Sequence, residues 1–156
     1  MFLLKSYKTT SYGRTKHVAY LLLYNTFMKI AIPHWRGRVS PVFDESRQLV
    51  LVDILNGKNI GYAVKKLQHS DPLLRAKDVA GFGAEVLICG VVSQVLEMAL
   101  ISESIRIIPC TCGPVKGVIQ AFLHDKLADP VFLMPGCCRK KRYERVLTDK
   151  LKEADR

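Results

Sequence analysis

Four of the five cysteines in this 156-residue chain come as close pairs, Cys110-Thr-Cys112 and Cys137-Cys138. Thiolates are soft metal ligands and good nucleophiles. A disulfide framework in a small secreted domain spreads its cysteines through the chain. Close pairs in a chain long enough to bury a core point instead to metal, cluster or redox chemistry in a reducing compartment. In an extended strand the sulfurs of Cys110 and Cys112 lie on one side, ~7 Å apart, so joint ligation requires the loop to curl; otherwise they are two partly buried thiols. Cys137 and Cys138 point apart in a strand, but Gly136 before them permits a turn and makes a second ligand set possible. Cys89, inside Val-Leu-Ile-Cys, reads as core. His34 ends an apolar run and suits either ligation or a structural hydrogen bond. Arg36, Arg38 and Ser40 follow it in one loop.

These residues need elements to position them. Met28 to Pro33 reads as a short apolar strand stopped by proline, followed by a loop over His34 to Ser46. Gln48 to Ile54 is a buried strand, Asn56-Gly57 a hairpin turn and Asn59 to Leu67 the return strand. Asp71-Pro72 starts a helix whose apolar face takes in Leu73, Leu74, Val79 and Phe82. Glu85 to Cys89 is an apolar strand. Ser93 caps a helix that buries Val95, Leu96, Ala99 and Leu100. Arg106 to Pro109 is a short strand, and Pro114 opens a helix to about Leu127. The result, β-β-β-α-β-α-β-α, implies a mixed five-stranded sheet in the order 3-2-1-4-5, with strand 2 antiparallel and helices on the faces.

In open α/β sheets ligands bind beyond the carboxyl ends of the strands, where the strand order reverses. That point lies between strands 1 and 4, and three loops meet there. Two of them run into helix N-termini, whose free N–H groups attract anions. Cys110, Cys112, His34, Cys137 and Cys138 are the candidate metal or cluster ligands. Arg36, Arg38, Ser40, Ser93 and Gly113 form the candidate anion-binding loops. This set suits an anionic, soft ligand such as a metal–sulfide species.

Charge narrows the classes. The net charge of +10 is concentrated at the two ends: residues 1–27 hold four basic side chains and no acid, and 139–156 hold eight basic and four acidic ones. A nearly neutral body argues against a duplex-reading face. With no run of 18 uncharged apolar residues, a spanning helix is not expected, and the apolar run 18–24 lacks a small-residue cleavage site behind it. The expected organisation is an N-terminal extension over 1–27, a domain over 28–128 and a Cys-containing basic tail over 129–156, in the cytoplasm.

Three stretches, Met28-Lys-Ile-Ala-Ile-Pro33, Gly37-Arg-Val-Ser-Pro-Val-Phe-Asp44 and Gly83-Ala-Glu-Val-Leu-Ile-Cys-Gly90, together with Gly113-Pro-Val and Ala121-Phe-Leu, resemble the dinitrogenase iron–molybdenum cofactor biosynthesis family over roughly residues 28–128. The resemblance implies a ribonuclease-H-like architecture and non-catalytic binding or carriage of an iron–molybdenum cofactor precursor or another metal–sulfur cluster. It further implies exchange with a cluster donor or acceptor protein. Nitrogenase-associated members often carry Asn-x-His-Phe-Gly in the first loop. Here Val42 stands at the histidine position, so a ligand role for that histidine does not carry over.

Two other classes compete with a carrier. A ribonuclease-H-like nuclease holds metal ions with several carboxylates, normally one on the first strand, and Met28–Pro33 has none; nucleic acid is therefore not expected as a partner. A thiol redox or sulfur-transfer protein would use the Cys110/Cys112 pair, and would show a depressed thiol pKa.

Overall fold

The structure, a computed structural model, describes residues 27–137. Most of the expected N-terminal extension, Cys138 and the basic stretch 139–156 lie outside the described residues.

Strand β1 (Phe27–Trp35) runs through the centre of the molecule. It begins at Phe27, placed in the extension by sequence, and it does not stop at Pro33. The Pro33 carbonyl stays in the pairing, accepting from Ser40 N at 2.8 Å. The chain then turns at Arg36-Gly37, both at positive φ (50° and 77°), into the two-residue strand β2 (Arg38–Val39). What reads in sequence as a continuous loop is therefore a tight hairpin that pairs His34 with Val39 and Trp35 with Arg38. An arginine in a left-handed turn position is a poor local signal, which is why the hairpin is hidden.

Strands β3 (Gln48–Leu55) and β4 (Lys58–Lys66) form the second hairpin, turning at Asn56-Gly57 as the dipeptide predicts. Helix α1 (Pro72–Gly81), strand β5 (Val86–Ile88), helix α2 (Gln94–Ser102), strand β6 (Arg106–Ile108) and helix α3 (Val115–Leu123) follow, then a 3-10 turn at Pro130–Phe132. The sheet is mixed and six-stranded, ordered β4-β3-β1-β5-β6 with β2 attached to β1, and most of its pairings are antiparallel. The two parallel pairings, β1 with β5 and β5 with β6, are those bridged by helical crossovers.

Alternation along the strands sorts the core into two layers. Ala31, Leu49, Leu51, Leu87 and Ile107 face α1 and α2. Ile30, Ile32, Val50, Val52, Ile88 and Ile108 face α3. Burial of each valine, leucine and isoleucine among them contributes ~1.5–3 kcal/mol.

Helix α1 departs from expectation. Leu73, 62% exposed, and Leu74 face outward, and the buried side is Arg75, Ala76 and Val79. Val95 of α2 is likewise exposed, with Leu96, Ala99 and Leu100 inward. Helix α1 sits rotated so that a small residue and a long-stemmed one, Ala76 and Arg75, meet the sheet beside Val79. The fold also continues past residue 128. Cys112 N donates to Phe132 O (2.9 Å), and Met134 N to Cys110 O (3.0 Å), laying 132–134 antiparallel along 110–112.

Candidate functional site

The loops at the carboxyl ends of β1, β5 and β6 are stitched to one another by backbone hydrogen bonds. Val39 N donates to Gly113 O and Val115 N to Gly37 O, each at 2.9 Å; Cys110 N donates to Gly90 O, also at 2.9 Å; Val91 N and Pro41 O pair at 2.8 Å. Gly90 is needed for this closeness. A Cβ there would lie 2.3 Å from Pro41 O and 2.7 Å from Ser40 O, both unyielding backbone atoms. The mouth anticipated where the strand order reverses is thus a closely bonded knot of loops.

Beside it lies an open cleft of about 670 Å³, between the end of β1 and the start of β3, bordered by His34, Trp35, Arg36, Glu45, Arg47 and Gln48. Arg36 stacks on the Trp35 ring with its guanidinium 4.6 Å from the centroid. His34, in register with Ile30 and Ile32 along β1, carries two buried ring nitrogens, neither with a hydrogen-bond partner among the described residues. A buried imidazole left in this state costs about 1–3 kcal/mol relative to a satisfied one.

The cysteines occupy the other side of the β1–β2 hairpin, and none borders the cleft. Cys110 has φ 58°, so the Cys110-Thr-Cys112 segment does curl, as joint use of the two thiols requires. Thr111 between them is fully buried and both cysteines are half-buried. Cys112 Sγ lies 3.9 Å from Val131 O as a weak donor. The Pro135-Gly136 turn (Gly136 φ 81°) folds Cys137 back, its N–H on Met134 O at 3.1 Å, while Met134 is itself bonded to Cys110. Three cysteines are therefore gathered at one end of the sheet. Among the described residues, no three His, Cys, Asp or Glu side chains converge closely enough to hold a metal ion. Cys138 lies outside them, and Cys89 is core.

The anion-binding loops behave differently from expectation. Ser93 caps α2 through Leu96 N (3.4 Å), but its own N–H is already taken by the Asp44 carboxylate at 3.0 Å. Ser40 is buried and spends its hydroxyl on Val42 O (3.2 Å). At α3, Val115 N is bonded to Gly37 O, and Gly113 supplies the left-handed backbone, φ 117°, that side chains other than glycine rarely adopt. Protein oxygens thus fill first-turn donors at both helix N-termini. Arg36 and Arg38 remain exposed at the hairpin.

Solved proteins share this architecture. A protein named PH0822 is 26% identical, with 64% of this chain and 93% of that one aligned at a TM-score of 0.60. The orange protein of Desulfovibrio gigas, in its apo form, is 25% identical over 65% of this chain and 92% of its own, at 0.55. A Methanocaldococcus jannaschii protein described as a "putative dinitrogenase" is 20% identical, with 65% and 92% covered, at 0.54. No family model matches the chain, and no curated protein matches it in sequence. These likenesses show a shared fold. Among the described residues no helix is long and apolar enough to cross a membrane.

One residue central to the site is missed by sequence reasoning. Arg75 of α1 is 5% exposed and reaches under the first loop, donating from Nη1 to Ser46 O at 2.6 Å and Phe43 O at 3.2 Å. Its guanidinium also lies over the Phe43 ring, 5.5 Å from the centroid. Burial pulls its pKa down, opposed by the charges of Asp44, Asp78 and Glu45. The available signal is spacing: Arg75, Ala76 and Val79 lie on one helical face, with the arginine stem standing in for an apolar side chain.

Proposed function

We propose that this chain binds and carries an anionic metal–sulfur species, of the iron–molybdenum cofactor-precursor kind, without catalysing a reaction of its own. The observation that carries the reading is the curled Cys110-Thr-Cys112 segment, two half-buried thiols at the mouth with Cys137 at the same end of the sheet. A closed structural zinc site wants four ligands. A cluster brings its own sulfide, so two thiolates plus positive charge suffice to hold it, and that is what these residues offer. Arg36 and Arg38, exposed on the hairpin between the two sides, supply the charge, and His34, on the cleft side of that hairpin, is a second donor site apart from the thiols. In this reading the cargo arrives from, and leaves to, another cluster protein in a reducing compartment such as the cytoplasm, where the thiols persist.

Metal and sulfide content after anaerobic purification tests this, for the unaltered protein and for the Cys110→Ser/Cys112→Ser double variant. Stoichiometric iron or molybdenum with sulfide, lost in the variant, is the expected result. Unaltered protein that stays empty after exposure to iron, molybdate and sulfide overturns it, and rapid alkylation of the same thiols would then favour redox or sulfur-transfer chemistry.

A further inference from the structure

We propose that the outer edge of β4 accepts an extended, acidic segment of another protein as an added strand. β4 is nine residues long, pairs with β3 on one side, and ends the strand order on the other. An edge of this length presents a row of backbone donors and acceptors to any strand laid beside it. Natural edges are usually kept short or covered. This one has neither protection among the described residues.

Its side chains give the partner's chemistry. Ile60, Tyr62 and Val64 are 57%, 58% and 49% exposed. Tyr62 and Val64 pair across the ladder with Val52 and Val50, so they extend the buried α3-side layer outward into solvent. An added strand with apolar residues at alternate positions would continue that layer. Lys58, Lys65 and Lys66 stand at the two ends of the same strand, which has no acidic residue. Acidic side chains in the partner would meet them.

Charge also selects against the other occupants. A second copy paired antiparallel about Tyr62 sets Lys58 against Lys66 of its mate at both ends, which is repulsive. The chain's own ends, 1–26 and 138–156, each carry a net charge of +4. Lysines on an edge commonly serve to keep strands apart. Here they would do that toward basic and identical strands while admitting an acidic one.

The test uses the full chain and a labelled eight-residue peptide of alternating acidic and apolar residues, Glu-Val-Asp-Val-Glu-Ile-Asp-Val. A lysine-for-acid counterpart and a copy N-methylated at alternate amides serve as controls, all read by fluorescence anisotropy at low salt. The acidic peptide is expected to bind at least about tenfold tighter than the lysine peptide. The N-methylated copy should fail, since the added ladder needs those N–H groups. In Lys65→Glu/Lys66→Glu, an exposed pair whose replacement leaves the core intact, the charge preference should reverse. Equal binding of acidic and lysine peptides, unimpaired binding of the N-methylated copy, or sedimentation showing that the chain pairs with itself through β4 would each overturn the proposal.

Discussion

Arg75 Nη1 lies 2.6 Å from the carbonyl oxygen of Ser46, joining the inner face of α1 to the floor of the first loop. Through this bond and its partner on Phe43 O, one buried cation sets the path of the chain from Phe43 to Ser46. The cleft wall beside His34 is held from beneath by a residue that does not itself border the cleft.

Replacing Arg75 with methionine keeps most of the stem and removes the donors. Two loop carbonyls lose their charged partner, and the expected cost is about 2–4 kcal/mol in chemical denaturation. Arg75→Lys should recover only part of it, because a single ammonium does not reproduce the guanidinium fork. A loss below ~0.5 kcal/mol for the methionine variant would show that the loop holds its path without this tie.

Gly90→Ala places a methyl where Pro41 O stands 2.3 Å away. The Val42–Val91 bridge must then open or shift, and about 2–4 kcal/mol of stability should be lost. Gly81→Ala, with open space around the new methyl, serves as the control and should change stability little. Matching thermal midpoints for the two variants would contradict the close approach seen at the mouth.

His34→Phe separates a ligand histidine from a packing one. Removing two unpartnered buried nitrogens should leave the empty protein as stable or more stable, by up to ~1–2 kcal/mol. Metal and sulfide loading should fall in the same variant. Marked destabilisation of the empty protein would mean that His34 is satisfied in the apo state, and full loading would remove it from the ligand set.

Acid should weaken the β4–α1 connection through Asp78. Burial pushes this carboxyl up, but hydrogen bonds from the His69 ring at 2.9 Å and from the N–H groups of Gln68 and His69 outweigh it, leaving the pKa below the usual carboxylate value. A depressed folded-state pKa contributes stability that is full above the unfolded pKa and disappears as pH falls through the folded one. Asp78→Asn should therefore lower stability at neutral pH and flatten its decline in acid. An unchanged acid limb, followed by denaturation at several pH values, would remove Asp78 as a source of that decline.

The strands of this sheet were easy to read because burial on both sides leaves uninterrupted apolar runs, as at Leu49–Val52 and Val86–Ile88. Asn56-Gly57 announced its hairpin by residue type alone. Arg36-Gly37 did not, since an arginine at positive φ is held there by pairing of Trp35 with Arg38 rather than by local preference. The cysteine loop was found from spacing. Its company is not legible, because the bonds that lay 132–134 along Cys110 and Cys112 are backbone bonds carrying no side-chain signature. The helix N-termini looked open in sequence for the same kind of reason: Asp44 meets Ser93 N across a separation of 49 residues. The bonding of Arg75 to the loop carries no signal in the sequence, because sequence alone does not reveal which carbonyls a helix will face.

Trp35 is the chain's single tryptophan, and it sits 63% exposed on the cleft with Arg36 against its face. The molecule thus carries its own optical reporter at the place where a charged guest would draw that guanidinium away. Titration with a guest can be followed by the quenching or recovery of one indole, with no label attached, and an unfolding curve read at the same wavelength reports first on the hairpin that bears it.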